Sequence, residues 1–169
     1  MHKPFEIYVD YDGVLVDFYR ATKEILGGAW DDPRWKSKEK KEERASILRG
    51  KDRFWLDIPP ERDFHELWNF VKPFNPSILT AYPEWDAEGA KKGKWEWNQK
   101  YTKVPHERFH CVLRESKRYY AKESVTKPNI LIDDFPQNIK EWEHAGGVGI
   151  LHTSAFNTIN RLKEMGFSH

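Results

Sequence analysis

Short apolar runs rich in β-formers alternate along this chain with longer segments whose apolar residues recur every three or four positions. Phe5 to Val9, Ser77 to Thr80, Phe109 to Leu113, Asn129 to Ile132 and Val148 to Leu151 read as short buried strands. The intervening stretches carry helical spacing. One runs from about Asp17 to Leu26 and is ended by Gly27-Gly28. A second, Asp63 to Val71, sets Phe64, Leu67, Trp68 and Val71 on one face. Further helices are expected over Ala87 to Tyr101, over Pro136 to His144 with proline in the first turn, and over Phe156 to Met165. Strands and helices that alternate in this way predict an α/β fold: a doubly wound, Rossmann-like, mostly parallel sheet of five core strands.

Residues 29–60 break the alternation. Trp30 to Trp35 is a turn with aromatics, and Lys36 to Arg44 mixes charges densely enough to read as a solvated helix. Arg53 to Ile58 returns to apolar before Pro59-Pro60 forces a break. The expected organisation is therefore an α/β core formed by 1–28 and 61–169, with 29–60 as a small helical cap over one end of the sheet. The chain contains eight Trp, and several fall in this polar insert, where a core does not account for them.

Composition narrows the picture. A length of 169 residues suits one domain with a sizeable core, and a net charge of +1 gives no general attraction to nucleic acid or anionic membranes. The one cysteine, Cys111, lies in an apolar run, fits a reducing compartment and reads as a buried thiol. No run approaches the length of a membrane span, and the start carries no apolar signal region, so a cytoplasmic location is expected.

The chemistry-bearing residues sit at strand ends. The first run enters Asp10-Tyr11-Asp12-Gly13, and the fourth ends in Asp133-Asp134. In open α/β sheets ligands bind outside the carboxyl ends of the strands. Carboxylates paired there repel one another unless a cation relieves them, and Mg²⁺ suits an all-oxygen site. Thr80 ends the second strand, where its hydroxyl and the Ala81 amide form a phosphate cradle. Lys117, four residues past the third strand, reaches the same mouth, with Arg114 as a second phosphate contact. Lys122, more than a helical turn further on, is expected to point elsewhere. Tyr82 and Trp85 follow Thr80 closely enough to touch a substrate. Lys91, Lys92 and Lys94 are expected to face solvent, Trp95 and Trp97 cannot both face the core, and His152 reads as structural.

The stretches Asp10 to Phe18, Arg53-Phe54-Trp55, Ile78 to Ala81, Cys111 to Lys117 and Ile130 to Asp134 resemble the haloacid dehalogenase-like phosphohydrolases. Within them the chain looks most similar to the 5'(3')-deoxyribonucleotidases and their small bacterial and phage relatives. The resemblance implies a Mg²⁺-dependent phosphomonoesterase. Asp10 is then the nucleophile and a metal ligand. Asp12 is the acid–base, its backbone carbonyl on the metal. Asp134 is a metal ligand and Asp133 its support, while Thr80, Ala81 and Lys117 hold phosphate. It also implies that Phe18 stacks on a nucleobase. The expected partner is a small phosphomonoester, a (deoxy)nucleoside monophosphate, with no membrane and no nucleic acid. A sugar phosphate, a nucleic acid 3'-phosphate end, or a non-catalytic nucleotide-binding relative are the alternatives. The gap from Lys117 to Asp133 is a few residues longer than in those relatives, and Lys122 would fit that gap better.

Overall fold

The structure, a computed structural model, describes residues 1–169. In chain order its elements are β1 (Ile7–Val9), α1 (Phe18–Leu26), α2 (Lys38–Arg49), α3 (Phe54–Asp57), α4 (Phe64–Val71), β2 (Ser77–Ala81), α5 (Ala87–Trp97) and β3 (Phe109–Val112). A hairpin of β4 (Lys122–Ser124) and β5 (Lys127–Pro128) follows, then β6 (Ile130–Asp133), α6 (Pro136–His144), β7 (Val148–Leu151) and α7 (Ala155–Glu164).

Five strands form one parallel sheet in the order β3-β2-β1-β6-β7. The chain winds outward from β1 in one direction, then returns to β1's other side with β6. The order reverses between β1 and β6, and the carboxyl ends of those two strands flank the crevice this creates. Their register pairs Val9 with Ile132, and the Asp10 amide donates to the Ile132 carbonyl at 3.0 Å. Asp10 and Asp133 are thereby brought side by side across 123 residues of sequence by backbone pairing alone.

Strand alternation divides the apolar residues between the two faces of the sheet. Ile7, Val9, Ile78, Ile130 and Ile132 join the main core with Phe64, Leu67 and Val71 of α4 and Ile159 and Leu162 of α7. Leu79 and Leu131 face the other way, where Trp142 of α6 and Ala121 cover them. Trp97 is fully buried and Trp95 only partly so, packed on Phe109 and His106.

The turn after β1 is tight. The Tyr11 carbonyl accepts from the amides of Val14, Leu15 and Val16, and all three side chains are buried. Segment 29–60 shares the main core through Leu48, Phe54, Trp55 and Ile58. The tryptophans of this polar stretch do have a core to fill. Trp55 stacks on Phe18 at 6.0 Å, Trp30 meets Phe18 edge-on at 5.1 Å, and Trp85 lies against both tryptophans. No helix is long and apolar enough to cross a membrane.

Candidate active site

At the carboxyl end of β1 and β6, one carboxylate oxygen from each of Asp10, Asp133 and Asp134 lies within 4.8 Å of the others. Lys117 bridges two of them, donating to Asp10 Oδ1 and Asp133 Oδ2 at 2.9 Å each. Asp133 is fully buried and takes further hydrogen bonds from the Phe135 amide (2.9 Å) and Asn138 Nδ2 (3.0 Å). Its oxygens are thus engaged by protein donors, whereas Asp134 is only partly buried and faces the Tyr19 phenol.

Charge in this cluster is unbalanced. Three carboxylates against one ammonium leave a net of two negative charges. Burial first, and then Asp133, push the Asp10 carboxyl well above its usual range, with Lys117 opposing. Burial and Asp133 likewise raise Asp134 to about 7. Burial works against the Lys117 ammonium, but Asp10 and Asp133 more than offset it, and its pKa is raised. An oxygen-only donor set short of two positive charges fits a hard dication such as Mg²⁺. The backbone is shaped for the same end. Gly13 adopts φ +83°, and a Cβ there would lie 2.0 Å from Asp134 Oδ2, so any side chain would displace that carboxylate.

Asp12 is held apart from this cluster. Its Oδ2 accepts from Lys94 Nζ at 2.7 Å, and its Oδ1 is buried without a hydrogen-bond partner. Lys94 also donates to Thr80 Oγ1 and to the Ala81 carbonyl, each at 2.8 Å. Because an ammonium only donates, Thr80 accepts here and keeps its own proton free to give.

A cavity of about 550 Å³ opens over these groups. Asp10, Asp12, Ala81, Lys117, Asp133 and Asp134 all line it, and Thr80 lies fully buried behind Lys94. Tyr19, Trp30 and Phe135 supply aromatic surface at its rim, with Tyr19 and Phe135 about half exposed.

The structure corrects three readings. Phe18, expected to stack on a base, is 7% exposed and packs inside the Trp30–Phe54–Trp55 cluster. Helix α1 turns the next residue, Tyr19, toward the mouth instead. Lys94, expected in solvent, is 3% exposed at the centre of the site. Its signal was present in the sequence: Ala90, Gly93, Lys94 and Trp97 are the buried face of α5 at helical spacing, and Lys94 is the one charged member. Tyr82 and Trp85 do not line the cavity. Tyr82 lies under Lys91, and Trp85 packs on Trp30 and Trp55. Arg114 reaches the cavity but is shared with Asn138 and Glu141.

A hairpin separates the two candidate lysines. Between Lys117 and Asp133 the chain forms β4 and β5, closed at the base by the Asn129 amide donating to the Ala121 carbonyl at 2.8 Å. Lys122 starts β4 and is exposed, while Lys117 is buried against Asp10. His152 is buried, its Nδ1 paired with Thr158 Oγ1 at 2.7 Å outside the cavity.

No protein-family model matches this chain, and neither does any curated protein sequence. Solved structures do. A hydrolase from Streptococcus pneumoniae TIGR4 superposes with a TM-score of 0.56 at 16% identity, over 95% of this chain and 100% of its own. A hydrolase from Pseudomonas syringae gives 0.52 at 17%, over 96% and 100%. A HAD-superfamily hydrolase from Ehrlichia chaffeensis gives 0.51 at 11%, over 98% of both chains. The class is therefore set at the level of fold: this is a Rossmann-like α/β fold of the haloacid dehalogenase-like type.

Proposed function

We propose that this protein is a Mg²⁺-dependent phosphomonoesterase that works through an aspartyl phosphate, and that its substrates are nucleoside monophosphates. The observation that carries the reading is the convergence of Asp10, Asp133 and Asp134 with Lys117 at the end of the two central strands. Asp10 attacks phosphorus, and the bond to the leaving oxygen breaks. Asp12 gives its proton to that oxygen, then takes one from the water that hydrolyses the acyl phosphate and regenerates Asp10. Asp10, Asp134 and the Asp12 carbonyl are the groups that would hold Mg²⁺, which when bound neutralises charge on the transferred phosphoryl group. Lys117 steadies the attacking carboxylate and the phosphoryl oxygens, joined by the Thr80 hydroxyl and the Ala81 amide.

The rim supports the choice of substrate. Tyr19, Trp30 and Phe135 offer flat faces on which a base can stack, at about 1–3 kcal/mol per stack. The test is phosphate release with Mg²⁺ from nucleoside 5'- and 3'-monophosphates, ribo and deoxy, beside glycerol phosphate, sugar phosphates and 4-nitrophenyl phosphate. Selective turnover of the nucleotides, lost in Asp10→Asn, is the expected result. Near wild-type release from Asp10→Asn would overturn the covalent scheme. Turnover confined to sugar or aryl phosphates would overturn the substrate assignment and leave the chemistry in place. A nucleic acid 3'-end as substrate would instead show activity falling steeply with salt.

A further inference from the structure

We infer that Lys94 is a positioning residue for this reaction, which grips one oxygen of Asp12 so that the other is presented to the leaving group. The inference rests on the phosphomonoesterase reading. Its basis is geometric. Lys94 Nζ spends all three of its donors on Asp12 Oδ2, Thr80 Oγ1 and the Ala81 carbonyl. It touches none of the three clustered carboxylates, two of which are paired with Lys117, so its charge serves Asp12 and not that cluster. Asp12 Oδ1 is left buried with no partner although Asp12 lines the cavity.

A purely structural role accounts poorly for this arrangement. Buried ion pairs are weak contributors to stability, and an unsatisfied buried oxygen beside one is a cost. Both make sense if the free oxygen is reserved for a group that arrives with the substrate. The grip is also enforced from above. The Trp55 ring lies 5.2 Å from Nζ, and a Cβ on neighbouring Gly93 would come within 2.4 Å of Trp55 Cβ. Helix α5 can approach α3 this closely only because position 93 is glycine, and the approach seals Lys94 against Asp12 and Thr80. One ammonium thus ties together the turn after β1 and the end of β2, which carry the acid–base and the phosphate hydroxyl.

The leaving group provides the test. An alkoxide must be protonated as it departs, whereas 4-nitrophenolate leaves without help, so a misplaced Asp12 matters for the first and not the second. In Lys94→Met, kcat on a nucleoside monophosphate is expected to fall about 100-fold, with KM changed less than about threefold. With 4-nitrophenyl phosphate the same variant is expected to release one equivalent of nitrophenolate per enzyme at close to the wild-type rate. A slow steady state follows, because hydrolysis of the acyl phosphate still calls on Asp12. Wild-type turnover in Lys94→Met, or an equal loss in the first turnover of both substrates, would overturn the inference while leaving the phosphomonoesterase intact. Lys94→Gln, which keeps donors for Thr80 and the Ala81 carbonyl, serves if Lys94→Met does not fold, with the same outcomes read. If neither variant folds, the residue is structural and the inference fails. If the wild-type protein hydrolyses no phosphomonoester, the underlying reading fails first.

Discussion

At the scale of single residues, Gly13 shows how tightly the metal-fit cluster is built. Its positive φ and its distance to Asp134 mean that even a methyl group would push the carboxylate away. Gly13→Ala is expected to raise the Mg²⁺ concentration needed for half-maximal activity by about 10–100-fold, the usual effect of disturbing the support of a metal ligand. A Mg²⁺ titration of phosphate release checks this, and an unchanged midpoint would show that Asp134 is not a ligand. Phe18 and Tyr19 make a second residue-scale contrast, since they are neighbours with opposite fates. Phe18→Ala removes a ring from the packed aromatic cluster and is expected to cost about 3–5 kcal/mol of stability. Tyr19→Ala is expected to leave the melting temperature nearly unchanged and to raise KM for nucleoside monophosphates about tenfold, with no change for glycerol phosphate. Melting curves and the two KM values together separate the roles.

At the scale of elements, the hairpin and α5 carry the argument. The β4–β5 hairpin follows Lys117 and carries Lys122, while Lys117 lies against Asp10. Lys122→Ala is therefore expected to retain full activity, whereas Lys117→Ala loses at least about 100-fold in kcat, the scale of one oriented charge at a transferring phosphoryl group. Assaying both variants on one nucleotide decides it, and a loss confined to Lys122→Ala would reverse the assignment. For α5, solvent exposure was expected from the run of lysines. The helix is in fact buried along Ala90–Gly93–Lys94–Trp97, and its charge turns inward because Asp12, Thr80 and the Ala81 carbonyl are there to receive it. Helical spacing was enough to mark that face, but the run of lysines pointed to solvent; the partner that makes a buried lysine tolerable lies 82 residues away.

At the scale of the whole molecule, burying Asp10 and Asp134 together makes stability depend on pH. A carboxyl whose pKa is raised on folding binds its proton more tightly in the folded state. Its stabilisation is therefore full below the unfolded value and lost as pH rises through the folded one. Asp134 and the half-buried Glu61 are both raised to about 7, in each case chiefly by burial and neighbouring carboxylates. In chelator, stability is expected to fall between pH 5 and 8, by no more than about 1.4 kcal/mol per pH unit for each proton released, and the melting temperature falls with it. Saturating Mg²⁺ should remove the part due to Asp10 and Asp134, because a bound dication replaces the proton. Melting curves at pH 5, 6.5 and 8, with and without Mg²⁺, test this; a slope unaffected by Mg²⁺ would mean that the cluster does not take up the ion.

Most of the architecture was legible in the chain itself. Short apolar strands alternating with amphipathic helices dictate a parallel α/β sheet, and carboxylates at two strand ends dictate a charged mouth, because both follow from local spacing and from the cost of burying charge. The Asp10 and Asp133 positions were readable for that reason. What only the tertiary structure decided is how side chains are shared between distant segments. Whether Phe18 or Tyr19 meets the cavity depends on the rotation of α1 against the tryptophans of 29–60. Which of two lysines lies against Asp10 depends on the hairpin that carries Lys122 away from the mouth. The inward turn of Lys94 depends on a glycine contact between α5 and α3. Each is settled by packing between elements far apart in sequence, which periodicity along a single element does not encode.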